Sequence, residues 1–207
     1  MHDDAHRITT LDQLDALFGH VAAPSQQKEI DYVHLLYRQM IEASPFVVLA
    51  TSGPDGLDAS PRGDPAGFVV VEDERTLLLP ERRGNNRVDS LRNLVHDPRL
   101  ALLFLIPGHG ETLRVNGRAR ITTDPALLQR FAMNGKPPRC VLVVSVERVY
   151  FQCARAIQRS GLWQPGGAGR HAQVPTPGRI LEALSAGEVD AARYDRELPA
   201  RQRDTLY

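Results

Sequence analysis

Lysine is nearly missing from this chain of 207 residues, standing only at Lys28 and Lys136. Arginine supplies the rest of 25 basic side chains, and 25 Asp and Glu cancel them. A neutral chain has no bulk attraction for nucleic acid or an anionic membrane, so single arginines count only where their spacing is informative. Cysteine is scarce as well: Cys140 and Cys153 are the only two and form no CxxC. That excludes a disulfide scaffold and fits reduced, half-buried strand residues of a cytosolic protein. The seven histidines are scattered without metal-ligand spacing, and His2 and His6 sit in a polar N-terminal stretch. The longest apolar run, 100–106, falls far short of the roughly 20 residues of a membrane helix. Charged residues follow Met1 where a secretory signal would place an apolar core. No GxGxxG follows a strand and there is no P-loop; Gly108-His109-Gly110 reads as a hairpin turn. Ser52, Ser60, Ser145 and Ser160 all lack a nucleophile-elbow context. What remains is a cytoplasmic protein with no nucleic-acid, membrane or metal partner.

At this length the chain can form one sizeable domain with appendages, or at most two small ones. Thr10 caps a helix bearing Leu11, Leu14, Leu17 and Phe18. A second helix is predicted over 27–43, with Ile30, Val33, Leu36, Tyr37, Met40 and Ile41 at helical spacing, and Ser44-Pro45 ends it. From Phe46 the period changes, and strands are predicted over 46–51, 57–62, 68–71, 75–79, 99–106, 112–121 and 140–151. Helices over 86–96 and 124–133 interrupt them. Strands linked mostly by hairpins, with a few helices outside, describe an antiparallel barrel rather than a doubly wound sheet. After Trp163 a Gly- and Pro-rich stretch, 164–178, reads as a linker or wrapping loop and leads to two short helices over 179–185 and 189–206. So polar a tail packs on the barrel or on a second subunit. The chain thus divides into an N-terminal helical extension, 1–45, a β domain, 46–163, and a linker with helical tail, 164–207.

The segment Pro80-Glu81-Arg82-Arg83-Gly84-Asn85-Asn86-Arg87 joins a strand to a helix. Backbone N–H groups at a helix start are unpaired, and the helix dipole favours negative charge there. The arginine fork matches phosphate oxygens, so the loop reads as a phosphate site, with a solvated charged turn as the plain alternative.

Four segments in this order, Asp58-Ala-Ser-Pro-Arg62-Gly-Asp-Pro, Thr76 to Arg87, Thr112-Leu-Arg-Val-Asn-Gly-Arg118 and Val149-Tyr-Phe-Gln-Cys-Ala-Arg155, resemble the pyridoxamine 5'-phosphate oxidase-like family. Within it they are most similar to the FMN-binding branch. The resemblance covers 46–163 and extends to the tail that ends at Tyr207. It implies a mainly β fold with flanking helices, a six-stranded antiparallel split β-barrel. It also implies a homodimer with FMN in grooves at the subunit interface and an oxidoreductase activity on a small molecule. The electron donor would be NAD(P)H or the substrate itself. By the same resemblance Arg82, Arg83, Asn85, Asn86 and Arg87 hold the FMN phosphate, Arg87 foremost. Arg62 stands by the flavin ring, where a cation raises the flavin's potential; a solvent-exposed strand-end arginine is the other reading. Ser60, Gly63 and Asp64 are its neighbours, and the backbone of Leu79 and Pro80 meets the ring. Thr112 and Arg114 border the flavin, while Gln152, Arg155, Arg159, Ser160 and Trp163 reach it from the partner subunit. Trp163 alternatively closes the barrel end as a core residue. No residue is assigned a catalytic role, because the cofactor carries the chemistry. The family's Arg, His and Asp motif for substrate phosphate is not found after Phe151, which argues against pyridoxamine phosphate as substrate. A flavin, deazaflavin or haem binding protein without turnover is the alternative.

Overall fold

A computed structural model describes residues 6–164 and 174–207. Three helices, α1 (Leu11–Phe18), α2 (Ala23–Gln27) and α3 (Leu35–Ala43), precede the β domain. Its strands are β1 (Phe46–Gly53), β2 (Gly56–Gly63), β3 (Val70–Asp73), β4 (Thr76–Glu81), β5 (Arg99–Leu105), β6 (Thr112–Thr122) and β7 (Cys140–Gln152). Helix α4 (Asp89–His96) lies between β4 and β5, and α5 (Pro125–Arg130) between β6 and β7. After β7 come α6 (Arg155–Ser160), α7 (Pro177–Leu184) and α8 (Ala191–Asp204).

The strands form one antiparallel sheet in the order β2-β1-β5-β6-β7-β4-β3. The strand count is therefore seven, not six: the four residues of β3 pair with β4 and add an edge. Alternate residues of β1, β4, β5, β6 and β7 face one core, among them Val47, Leu49, Leu77, Leu79, Leu102, Phe104, Leu113, Val115, Leu142 and Val144. This is the period of two that a half-buried strand requires.

The sheet curls on itself. In a flat sheet β2 and β4, five strand spacings apart in this order, would be separated by about 24 Å. Yet Arg62 Nε of β2 lies 2.7 Å from Glu81 Oε1 of β4, and Arg82 Nε lies 2.7 Å from Asp64 Oδ2. Side chains join the edge strand β2 to the end of β4 that β3 leaves unpaired, where no ladder does, which makes the barrel a split one.

The helix expected over 27–43 is broken. Residues 28–34 are extended or bent, and Ile30 exchanges both backbone hydrogen bonds with Val149, at 3.1 and 2.7 Å. β4 pairs with β7 only from Cys140 to Ser145, so the edge of β7 beyond it needs a partner, and Ile30 provides one. Satisfying buried backbone groups outweighs a weak helical preference. Cys140 is buried, its thiol pushed up to about 11 mainly by that burial, whereas Cys153 lies exposed beyond the strand rather than half-buried in it. Among the described residues no helix is long and apolar enough to cross a membrane.

Candidate functional site

A cavity of about 1080 Å³ opens where the ends of β2 and β4, the 82–88 loop, the start of α4 and the helix α8 meet. It gathers Ser60, Arg62, Gly63, Asp64, Pro80, Arg82, Arg83, Asn85, Asn86 and Arg87. Strand alternation puts Asp58, Ser60 and Arg62 on one side of β2, and α4 brings Ser90 to meet them. Asp58 Oδ2 accepts from Ser60 Oγ at 2.7 Å and from Ser90 Oγ at 2.5 Å. Ser90 Oγ in turn accepts from Arg62 Nη2 at 3.2 Å. The Ser90 hydroxyl, more than Ser60, Arg62 or Arg87, holds the Asp58 carboxyl below its ordinary range.

Arg62 is not the lone cation expected beside a ring. Its Nε donates to Glu81, its Nη1 to the Pro61 carbonyl at 3.0 Å, and its Nη2 to Ser90. Burial pushes the Glu81 carboxyl up, and Arg62 only partly restores it. Arg82 is engaged as fully: Nε donates to Asp64, whose side chain is 2% exposed, and Nη1 to the Phe131 carbonyl at 2.5 Å. These two arginines tie the ends of β2 and β4 together, and of their N–H groups only the remaining ones are available to a ligand.

The loop beyond them is different. Val88 caps α4 without a side-chain hydrogen bond, so the first N–H groups of that helix stay open. Asn93 seats α4 against β1 by donating from Nδ2 to Thr51 Oγ1 at 3.2 Å. A Cβ on Gly53 would stand 2.1 Å from Asn93 Oδ1, so this close approach requires glycine. Arg87 is exposed and donates to Asp89 at 2.6 Å, Asn85 Oδ1 accepts from the Arg87 N–H, and Asn86 takes a left-handed φ of 61°. Arg83 has no carboxylate partner among the described residues. Open helix donors, a free guanidinium and a cavity of this size fit a phosphate-bearing cofactor.

The remaining expected residues lie elsewhere. Leu79 is wholly buried in the core, leaving only its backbone to a ligand. Thr112 and Gln152 are cross-strand partners at one end of β7, while Glu81 faces Cys140 at the other. Twelve residues of extended strand separate these ends, up to about 40 Å. Arg155 begins α6 beside this far end, and the half-buried Trp163 donates from Nε1 to the His109 carbonyl at 2.7 Å. None of the four lines the cavity.

Several cavity residues are not among the expected site residues: Asp58, Ser90, Arg139, and from α8 Tyr194, Leu198, Arg201 and Gln202. Asp58 could have been found from its i,i+2 spacing to Ser60. The tail residues could not, because the barrel residues they meet are distant in the chain, and most of the linker expected over 164–178 lies outside the described residues. Their placement is held by Tyr207, whose hydroxyl donates to Asp64 Oδ1 at 2.7 Å. Among the described residues, no group of three or more His, Cys, Asp and Glu could hold a metal ion.

The family model for pyridoxamine 5'-phosphate oxidase matches residues 36–153. Three solved structures illustrate what the chain is similar to. HupZ of Group A Streptococcus is 18% identical with a TM-score of 0.48, covering 58% of this chain and 94% of that one. General stress protein 26 of Bacillus anthracis is 16% identical with a TM-score of 0.42, covering 55% and 88%. An FMN-binding protein of Syntrophomonas wolfei is 12% identical with a TM-score of 0.42, covering 56% and 88%. No protein of curated function matches the sequence.

Proposed function

The chain belongs to the pyridoxamine 5'-phosphate oxidase family, and from that premise we propose that it is a homodimeric FMN flavoprotein acting as an oxidoreductase on a small molecule. The observation that carries this reading is the open N-terminus of α4, facing the large cavity beside Arg83, Asn85, Asn86 and Arg87. Arg83 and the α4 N–H groups would hold the FMN phosphate, with Arg87 exchanging its Asp89 contact for it. Ser60, Arg62, Gly63, Asp64 and the backbone of Leu79 and Pro80 would border the ring. When bound, the flavin would supply the redox chemistry; the chain's own residues bind it, orient it and set the charge around it. Arg62 offers the ring only a compensated charge, because Glu81 neutralises it at 2.7 Å.

Thr112, Gln152, Arg155 and Trp163 would reach the flavin from a second copy, a reading supported by the long strand that separates them from the cavity within one chain. The reading is tested by the visible spectrum of the purified protein after FMN is added and the excess removed. Retained yellow flavin, bleached by NADH or NADPH, is the expected result. A colourless protein that keeps none would overturn it. The interface is tested by mixing two weak binders, Arg87→Ala and Gln152→Ala/Trp163→Ala. The mixture should recover FMN binding that neither has alone, and no recovery would place each site within one chain.

A further inference from the structure

We propose that α8 forms a specificity wall of the site, where Arg201, together with Arg139, binds the anionic group of the small molecule that meets the flavin. The proposal rests on the flavin reading above and adds the class of its substrate. Six arginines line the cavity. Arg62, Arg82 and Arg87 each face a carboxylate, from Glu81, Asp64 and Asp89. Arg83, Arg139 and Arg201 have none among the described residues, and the fourth carboxylate, Asp58, is taken up by two serine hydroxyls. The whole chain is neutral, so this excess of positive charge is local. A phosphate at the α4 start accounts for Arg83 and leaves Arg139 and Arg201 unmatched.

Both are positioned. The Arg139 backbone N–H donates to the Glu81 carbonyl at 2.9 Å, which fixes it at the end of β4. Arg201 lies over the Tyr194 ring of the same helix, 4.6 Å from its centroid, a contact that orients a guanidinium without neutralising it. α8 itself is anchored to the barrel. Tyr207 donates to the buried Asp64, Lys136 Nζ donates to the Tyr207 main-chain oxygen at 2.9 Å, and Arg82 lies 5.7 Å from the Tyr207 ring centroid. Arg201 and Tyr194 lie outside the matched residues 36–153, whereas Arg139 lies within them. An oxyanion, carboxylate or phosphate, offers two guanidinium groups charge-assisted hydrogen bonds that a neutral molecule cannot.

The test titrates the FMN-loaded protein with benzoate, phenyl phosphate and benzyl alcohol at fixed ionic strength, following the visible band of the bound flavin. At least one of the two anions should bind while the alcohol does not, and which anion binds distinguishes carboxylate from phosphate. Arg201→Gln should weaken that binding by about tenfold or more and leave FMN affinity unchanged. Equal binding of the alcohol, no binding of either anion, or undiminished anion binding by the variant would each overturn the proposal. So would an equal loss of FMN, which would make Arg201 part of the cofactor's own site. If the protein takes up no FMN, the flavin reading fails by itself. Calorimetric titration of the same anions then decides the wall: weaker binding by Arg201→Gln supports it, and unchanged or absent binding overturns it.

Discussion

Arg62 and Arg82 differ from Arg83 and Arg87 in almost every respect that sets what an arginine does, although all four border one cavity. The first two are 18% and 16% exposed and hold Glu81 and Asp64 at 2.7 Å. Arg87 is 79% exposed on a partner that is itself half in solvent, and Arg83 has no carboxylate partner among the described residues. A charge taken out of water must be matched where it stands, so the buried pairs are committed to closing the barrel. An exposed charge is solvated already and can be given to a ligand at little cost. The same side chain is thus a structural clasp at the strand ends and a binding group a residue or a few further on.

The largest effect that would sharpen this contrast is expected from Arg82→Ala. It leaves Asp64 buried with only the Tyr207 hydroxyl, and denaturant unfolding should show a loss of about 3–5 kcal/mol. A loss below 1 kcal/mol would dissolve the distinction between clasp and ligand. Next, Arg87→Ala and Arg83→Ala should each weaken FMN binding by about 10- to 100-fold, with the unfolding midpoint unchanged. A folded Arg87→Ala dimer with full FMN affinity would remove the phosphate assignment. Tyr207→Phe should cost about 0.5–1.5 kcal/mol and speed hydrogen exchange along α8 while leaving the strands protected. Exchange that does not change would show that the tail is held by other contacts.

The smallest effect is a pH dependence, and the two carboxylates give it opposite signs. Asp58 is held low by Ser90, so its contribution is full above the ordinary carboxylate range and is lost as pH falls through its folded value. Glu81 is raised by burial, so its contribution is present at low pH and lost as pH rises through its folded value. Asp58→Asn should flatten the acid limb of a stability profile, and Glu81→Gln should steepen it. Identical limbs in both variants would assign acid sensitivity to other groups.

Much of the β domain is legible in the residue order. The run from Phe46 to Gly53, the hairpin turn before Gly56 and the alternation along β5 and β6 are periodic signals that burial imposes locally. The phosphate loop is legible for the same reason: its arginines, its asparagines and the helix start that orients them are neighbours in the chain. Ile30 shows where this stops, since a residue at helical spacing was claimed by the open edge of β7, more than a hundred positions away. Leu11, Leu17 and Phe18 show it again, for their helix forms as its cap predicts while those side chains stay exposed.

By itself the sequence determined which segments extend, which coil and where an anion would find open donors, because these follow from spacing within a few residues. Only the tertiary structure decided that Arg62 would be spent on Glu81 and Arg82 on Asp64, and that the tail would wall the cavity. Those outcomes depend on how far seven strands curl before side chains can join them and on where the last helix comes to rest. Neither is encoded by any local pattern, since each arises from contacts between residues that the chain order keeps apart.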